Sequence, residues 1–251
     1  MDNKQNREIA IHINHLIKNY GKKEVIKDIS LDVYKGELLG FIGKNGVGKS
    51  TTIECMLGIK AFNSGEIEIL GHSIKKDPIK VKEELGYVSS EPMAYEDMTG
   101  YSYVEFIASI YRIKQEIFVK NFQYLSRRLD LQGDDLYRPI KEYSHGMKQK
   151  ICLIASLIHN PKIWILDEPT VGLDAFTANE LTKMIKEYVS HGNTCFIASH
   201  NIELISRLCD RVAIINEGKI LKIFDLINEP RSRRLLPQYF LEKCKETSDG
   251  N

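Results

Sequence analysis

The sequence predicts an α/β fold with a mainly parallel sheet, an N-terminal antiparallel β subdomain and an inserted α-helical subdomain. Short apolar segments alternate with helical patterns in the second half of the chain, which indicates a parallel sheet with crossover helices. Two segments near the N-terminus instead alternate apolar and polar residues, as half-buried strands do. The helical subdomain is expected at roughly residues 90–160, where helical patterns predominate.

The first half of the chain is predicted to begin with strands and to end in helices. It contains the alternating strands "EIAIHINHL" and "ISLDV", the buried strand "ELLGFIG", a helix from Lys49 to about Gly58 and the strand "GEIEIL". The pattern is helical from about Tyr101 to Leu131, and another helix is predicted from about Gly146 to His159. The apolar face of the first helical segment consists of Tyr103, Phe106, Ile107, Ile110 and Tyr111.

The second half is predicted to complete the sheet. The strands "IWILD" and "CFIAS" flank an amphipathic helix at about 175–190, and "RVAIIN" and "KILKIF" form a hairpin joined by "EG". We expect one domain at residues 8–224, followed by a C-terminal tail at 225–251 that contains a short helix. The tail mixes arginines with apolar residues, which suggests either a helix packed on the domain or a contact with a permease or lipid headgroups.

The composition argues against several classes of function. The 251 residues carry a net charge of +1, and this near-neutral charge disfavours nucleic-acid binding. The five cysteines are odd in number and show no Cys-x-x-Cys spacing, which argues against a disulfide framework or a zinc site. The longest apolar run, Ile151–Ile158, is far shorter than the about 20 residues of a membrane span. We therefore expect no direct membrane span, and any membrane role must depend on a partner.

The segment "GKNGVGKS", residues 43–50, matches the phosphate-loop pattern G-x-x-x-x-G-K-[ST] between a predicted strand and a predicted helix. Glycines let backbone N–H groups approach phosphates closely, and the helix N-terminus adds positive potential. We expect Lys49 to reach the β- and γ-phosphates of ATP, Ser50 to bind Mg²⁺ and Thr51 to donate to the α-phosphate. The loop residues expected to surround the phosphates are Gly43, Asn45, Gly46 and Gly48. A glycine-rich turn capped by serine is the alternative, which so strict a pattern disfavours.

Two acids and a histidine follow the apolar strands of the second half. Asp167 ends "IWILD" and is expected to bind Mg²⁺ through water, while Glu168 is expected to polarise the attacking water as general base. The alternative is that both acids only cap a strand end. His200 follows "CFIAS" at the sheet edge where ligands gather, and is expected to contact the γ-phosphate. An ordinary loop histidine is the alternative for His200.

The segment "YSHGMKQK", residues 143–150, places a serine beside a histidine at a predicted helix start. A Ser–His nucleophile pair is one interpretation, and a helix cap is another. Adjacent residues at a helix start point in different directions, so His145 is poorly placed to activate Ser144.

The sequence resembles the ATP-binding subunit of an ABC transporter over about residues 8–224. The resemblance is carried, in chain order, by Tyr20, Gly43–Ser50, Ser144–Gly146, Asp167–Glu168, Asp174 and His200. It implies a P-loop NTPase core that hydrolyses ATP with Mg²⁺, and a Tyr20 ring that stacks on adenine, with a surface tyrosine as the alternative. It also implies that Ser144 and Gly146 bind the γ-phosphate held by an opposite subunit, and that Asp174 lies at that dimer interface.

The sequence departs from the family pattern at two places. Of the signature Leu-Ser-Gly-Gly-Gln, the aligned segment at 143–147 keeps only the serine and the second glycine, and His145 stands where most relatives have glycine. Ser90 replaces the glutamine that contacts Mg²⁺ in the family, and its side chain is shorter. Either a water bridges Ser90 to the metal, or Glu91 substitutes, or the link is weaker.

The resemblance implies two partners: a second ATPase subunit, in a homo- or heterodimer, and an integral membrane permease. This chain would then be peripheral at the cytoplasmic face of the cell membrane. The segments "YSHGMKQK" and "EPMAYEDMTG" resemble those of ABC-2-type exporters, including drug, bacteriocin and lantibiotic systems. Two alternatives stay open: a soluble ABC-class ATPase without a permease, for example of the iron–sulfur assembly type, and a P-loop kinase, which the ordered motifs disfavour.

Overall fold

The computed structural model describes residues 7–246. Within this range the chain forms ten strands and eight α-helices, besides two short 3-10 helices at Gly133–Tyr137 and Ile140–Glu142. The strands are β1 (Ile9–Tyr20), β2 (Lys23–Tyr34), β3 (Leu38–Ile42), β4 (Ser64–Ile69), β5 (His72–Ser73), β6 (Leu85–Val88), β7 (Ile163–Asp167), β8 (Thr194–Ser199), β9 (Arg211–Asn216) and β10 (Lys219–Asp225). The helices are α1 (Lys49–Met56), α2 (Pro78–Glu83), α3 (Gly100–Ile110), α4 (Gln115–Arg128), α5 (His145–Leu157), α6 (Ala175–Ser190), α7 (Ile202–Leu208) and α8 (Pro230–Glu246).

The chain divides into two compact units. The first consists of the residues up to Lys82 and from Tyr188 onward, and the second of Glu83–Glu187. In the first unit the strands lie side by side in the order β5-β4-β1-β2-β10-β9-β3-β8. β1 pairs antiparallel with β2 and β4, whereas β3 pairs parallel with both β8 and β9. Every residue of β3 and β8 is buried, which explains why both read as continuous apolar segments.

The antiparallel strands of the first unit owe their alternating sequence to a single buried face. Ile13 of β1 and Leu31 of β2 are paired and buried in the core. Their neighbours His12 and Asp32 are paired on the opposite face, where His12 Nδ1 lies 2.6 Å from Asp32 Oδ1. Because side chains alternate between the faces of a strand, the period-two pattern marks such half-buried strands correctly.

The second unit contains the parallel pair β6 and β7 and most of the helices. Helices α3, α4 and α5 fall within the region where the helical subdomain is predicted. The indole N–H of Trp164, on β7, donates to Ser156 Oγ of α5 at 3.0 Å. A Cβ on Gly86 of β6 would lie 2.3 Å from the Ser156 carbonyl oxygen, so this strand and α5 approach each other as closely as glycine permits.

The predicted apolar face of the first helical segment is wrong for two of its residues. Phe106 and Ile110 are 40% and 58% exposed, and α3 instead buries Tyr103, Val104 and Ala108. Large apolar residues of α3 are distributed around much of its circumference. Their spacing along the chain therefore does not determine which of them face the core.

The C-terminal helix is longer than the short helix predicted for the tail. α8 has 17 residues and packs against α7 and β10. It buries Ser232, Leu236 and Phe240, as the packed-helix interpretation expects, and the last part of the tail, 247–251, lies outside the described residues. The predicted α/β fold class is confirmed. In the described part of the chain, no helix is long and apolar enough to cross a membrane.

Candidate functional site

The phosphate-loop segment connects β3 to α1 in the first unit. Its first glycine, Gly43, is pressed against β9, because a Cβ there would lie 2.5 Å from the Ile215 carbonyl oxygen. Gly48 has a φ of 112° and is the N-cap of α1, a conformation that residues with a Cβ rarely adopt. No side chain caps this helix and its first turn contains no acid, so its amino end keeps its positive potential.

Lys49 and the hydroxyls that follow it line the start of α1. The buried Lys49 ammonium donates to the carbonyl oxygens of Gly43 at 2.9 Å and Lys44 at 3.2 Å, which holds it over the loop. Ser50 is exposed at the second position of α1, and Thr51 is half-buried. Both hydroxyls are therefore available to a bound anion or to its metal.

The turn between β9 and β10 supports the loop from behind. The Gly218 N–H donates to the Val47 carbonyl at 3.2 Å, and the Gly218 carbonyl accepts from the Lys27 N–H at 2.9 Å. A Cβ on Gly218 would lie 2.4 Å from the Val25 carbonyl oxygen. The turn of the predicted hairpin therefore has a second role, because it connects the phosphate loop to β2 through hydrogen bonds.

Tyr20 lies at the end of β1 with 42% of its surface exposed. The ammonium groups of Lys18 and Lys60 lie 4.7 and 5.5 Å from its ring centroid. Lys60 Nζ lies 2.7 Å from Glu54 Oε2. The hydrogen bond to Glu54 raises the pKa of Lys60 most, and a hydrogen bond to Tyr20 raises it further. The ring is thus a partly exposed aromatic surface with two cations close to it.

His200 is exposed immediately after β8. Ser199, the last residue of that strand, accepts the Gly43 N–H at 3.4 Å, and Asn201 accepts the Leu204 N–H at 3.0 Å as the N-cap of α7. The structure therefore brings His200 and the phosphate loop to the carboxyl ends of neighbouring parallel strands, as predicted from the sheet type.

In the second unit, Ser90 and the two acids also follow neighbouring parallel strands. Val88 of β6 is paired with Leu166 of β7, so the segments that contain Ser90 and Asp167–Glu168 leave the same edge of this pair. Asp167 is 1% exposed, and Ser90 is half-buried. Glu168 has a φ of 48°, a left-handed conformation that is strained for a residue with a Cβ and that clusters at functional sites.

The signature segment begins α5. Ser144 is the N-cap, and its hydroxyl accepts the Met147 N–H at 3.2 Å. Tyr143 is buried with its hydroxyl donating to the Asp135 carbonyl, and burial raises its pKa, so the residue that replaces leucine still anchors the turn. Ser144 and His145 are exposed, whereas Gly146 is half-buried. Ser144 is therefore the helix cap that one interpretation of this segment predicts.

Asp174 caps α6 and lies on the loop before it. The Thr177 N–H and hydroxyl donate to its two carboxylate oxygens at 2.8 and 2.7 Å. These hydrogen bonds, together with attraction from Lys150 at 3.7 Å, lower the pKa of Asp174 from its ordinary 3.8 to about 2. The spacing of an aspartate three residues before a threonine at a helix start could have predicted this cap from sequence.

The predicted site residues form one group in each unit. Tyr20, the phosphate loop and His200 belong to the first unit, and Ser90, the two acids, the signature turn and Asp174 belong to the second. Across the described residues, no group of three or more His, Cys, Asp or Glu side chains could hold a metal. Mg²⁺ does not need such a group, because it commonly uses one or two carboxylates with phosphate oxygens and water. Ser50 in the first unit and Asp167 in the second each carry an oxygen donor of the type that Mg²⁺ binds.

Comparison with known proteins gives one consistent family. Residues 26–171 match the family described as ABC transporter. The chain is 34% identical to the linearmycin resistance ATP-binding protein LnrL of Bacillus subtilis, over 85% of this chain and 68% of that protein. It is 32% identical to the lantibiotic transport ATP-binding protein SrtF of Streptococcus pyogenes, over 84% of this chain and 89% of that protein. A solved structure of the ATP-binding subunit of an ABC transporter superposes with a TM-score of 0.86 at 26% identity, covering 93% of this chain and 98% of the other.

Proposed function

Since this chain belongs to the ABC transporter family, as an ATP-binding subunit and an ATPase, we propose that it powers export of a substrate through a separate membrane permease. The observation that carries the proposal is the phosphate loop, with its uncapped helix N-terminus and its Lys49 ammonium held over the glycines. We assign residues 8–224 to the ATPase domain, with a helical subdomain at about 90–160 and the tail at 225–251.

ATP is proposed to bind with its phosphates against the loop residues Gly43–Gly48. Their backbone N–H groups and the α1 dipole favour an anion there, and Lys49 adds a full charge to the β- and γ-phosphates. Thr51 donates to the α-phosphate, and Tyr20 stacks on adenine. Asn45 and Gly46 are exposed, so they are open to the nucleotide.

Hydrolysis is proposed to depend on Glu168 as general base and on His200 beside the γ-phosphate. The position of Glu168 directly after β7 supports this role, because ligands bind at the carboxyl ends of parallel strands. When bound, Mg²⁺ supplies charge neutralisation to the phosphates, and Ser50 and Asp167 are the residues that would hold it. Ser90 is retained as a weaker ligand, reaching the metal through water.

The second ATPase subunit is proposed to complete the site. Ser144 and Gly146 present the amino end of α5 to the γ-phosphate of the partner, and Asp174 lies at the same interface. A partner-facing surface is supported by the exposure of Ser144 and by two exposed apolar side chains, Val171 (44%) on the loop of Asp174 and Phe176 (66%) in the first turn of α6. Whether the partner is a second copy or a related subunit is decided by the experiment below.

The permease is proposed to dock on an exposed apolar surface of the second unit, formed by Met93, Tyr95, Phe106 and Ile110. These side chains are 79%, 59%, 40% and 58% exposed, and the rings of Tyr95 and Phe106 pack edge to face at 5.7 Å. Clustered exposed apolar side chains of this kind favour a protein partner. Docking there would hold this chain at the cytoplasmic face of the membrane.

The substrate is proposed to be an antimicrobial compound, such as a drug, a bacteriocin or a lantibiotic. Two relatives that match over most of this chain carry names that refer to linearmycin resistance and to lantibiotic transport. The names of these relatives do not favour the alternative, a soluble ATPase without a permease. The export role is tested by whether the chain fractionates with membranes when it is produced together with its permease, and a wholly soluble chain would contradict it.

The trans-acting site is tested with the purified chain, by phosphate release and light scattering. Addition of Mg²⁺ and ATP to Glu168→Gln should give a stable dimer if the partner is a second copy. Ser144→Arg should abolish this dimer, because it places a bulky cation at the amino end of α5. Ser109→Arg, on the equally exposed Ser109 of α3, is the matched control. A dimer that survives Ser144→Arg would remove the trans-acting role, and a monomer in all variants would favour a heterodimer.

A further inference from the structure

His145, a signature residue to which no role has been assigned, lies directly on the loop that contains Asp174. A Cβ built on Gly172 would lie 2.2 Å from Cδ2 and 2.8 Å from Nε2 of His145, so the imidazole edge occupies the space beside the Gly172 Cα. We propose that His145 is a positioning residue that fixes this loop, residues 169–174, against the amino end of α5. The inference rests on the proposed function, because it assigns a purpose to the geometry of the same trans-acting site.

Two glycines allow α5 and the loop to approach this closely. Gly172 has a φ of 79°, which already favours glycine, and a side chain there would have to displace the imidazole of the exposed His145. On α5, a Cβ on Gly146 would lie 2.8 Å from the Gly172 carbonyl oxygen, so the backbones meet at this point. The ring therefore fills the space that a side chain at 172 would need, while Gly146 lets the backbones of α5 and the loop approach each other.

Helix α5 holds the same loop at two further points. Gln149 Nε2 donates to the Pro169 carbonyl at 3.5 Å, and the Lys150 ammonium lies 3.7 Å from Asp174 Oδ2. His145 and Gln149 are four residues apart, so they lie on one face of the helix. The loop is thus attached to α5 at its beginning, near its middle and at its end, and His145 supplies the contact closest to Ser144.

This arrangement predicts which kinetic quantity depends on His145. The ring belongs to the trans-acting half of the site, so the affinity of the phosphate loop of the same chain for ATP does not involve it. Its loss frees the loop to shift relative to Ser144, and displacements of about 1 Å at a reacting centre can cost about 100-fold in rate. His145→Ala should therefore lower kcat on the order of 10-fold and leave KM within about twofold of the wild type.

A double-variant cycle separates packing from other effects. Gly172→Ala forces a methyl group into the ring of His145, whereas His145→Ala removes the ring and makes room for it. The double variant His145→Ala with Gly172→Ala should therefore have a higher midpoint of thermal unfolding than Gly172→Ala alone. His191→Ala, on an exposed histidine after α6, is the matched control and should leave both the midpoint and kcat unchanged.

The outcomes distinguish the failure of this inference from failure of the proposed function. If the wild type hydrolyses ATP, Glu168→Gln does not, and His145→Ala retains the wild-type kcat, the positioning role is wrong while the ATPase site stands. A double variant that is less stable than Gly172→Ala would also overturn it, because the ring would not be what excludes the methyl group. If the wild type itself releases no phosphate, the proposed function fails, and the positioning role fails with it.

Discussion

Glu168 offers a test that separates the strain of its backbone from the chemistry of its carboxylate. A left-handed backbone costs a residue with a Cβ about 1–2 kcal/mol, and the φ of 48° places Glu168 in that region. Glycine avoids this cost but loses about 0.5–1 kcal/mol through the greater freedom of the unfolded chain. The difference between the midpoints of these two ranges makes Glu168→Gly about 0.75 kcal/mol more stable than Glu168→Ala. Because both variants lack the carboxylate, the difference between them does not include any effect of losing it.

For a chain of this size, that free energy corresponds to an increase of about 1–4 °C in the midpoint of thermal unfolding. Phosphate release should meanwhile fall on the order of 10²–10⁴-fold in Glu168→Ala, Glu168→Gly and Glu168→Gln alike, because all three lack the general base. Calorimetry measures the first quantity, and a phosphate-release assay with saturating ATP measures the second.

Glu217 is the matched control, because it is also a glutamate and its φ is 47°. It lies exposed in the turn between β9 and β10, so Glu217→Gly should exceed Glu217→Ala in stability by the same amount while both keep near-normal hydrolysis. A Glu168→Ala variant more stable than Glu168→Gly would refute the strain argument. Hydrolysis within tenfold of the wild type in Glu168→Gly would refute its role as general base.

Three further results are expected. Lys49→Ala should weaken ATP binding about 10-fold or more in calorimetry, because a hydrogen bond to a charged group contributes about 1.5–3 kcal/mol. Lys219→Ala is the control, and unchanged affinity in Lys49→Ala would contradict the phosphate-loop assignment. Tyr20→Ala should weaken ATP binding about 5- to 150-fold through the loss of stacking, and Tyr20→Phe should not; equal losses would mean that the hydroxyl, not the ring, matters. The lowered pKa of Asp174 adds stability above its ordinary pKa of 3.8, and this stability is lost as pH falls from 3.8 to about 2. Asp174→Asn should flatten the dependence of the unfolding midpoint on pH in that interval, and an unchanged slope would show that the Asp174 carboxylate does not contribute.

The parts of the fold that could be predicted from sequence are those in which burial repeats along the chain. Strands β3, β7 and β8 are buried at every residue, so each is a short continuous apolar segment, and the motifs that follow them are placed at strand ends without further information. The hairpin of β9 and β10 was predictable for a different reason. Glu217 and Gly218 both have positive φ, and a two-residue turn of this kind strongly favours glycine.

The parts that could not be predicted depend on which surfaces meet. Phe106 and Ile110 have the spacing of a buried face, yet α3 packs through Tyr103 and Val104 instead. The strain at Glu168 also leaves no trace in the sequence, because nothing about a glutamate after a strand indicates a positive φ. The same limit applies to His145, whose contact with Gly172 joins two segments that are distant along the chain.

The space shared by the His145 ring and position 172 limits how the sequences of this chain and its near relatives can diverge. A methyl group at position 172 and a ring at position 145 claim the same volume, so each substitution is tolerated only in the absence of the other. The two positions should therefore change in a fixed order during evolution, with the ring lost before the glycine. Aligned sequences that have histidine at 145 should therefore have glycine at 172. Sequences with glycine at 145 are released from the constraint of the ring and keep only the preference for glycine that the φ of 79° imposes.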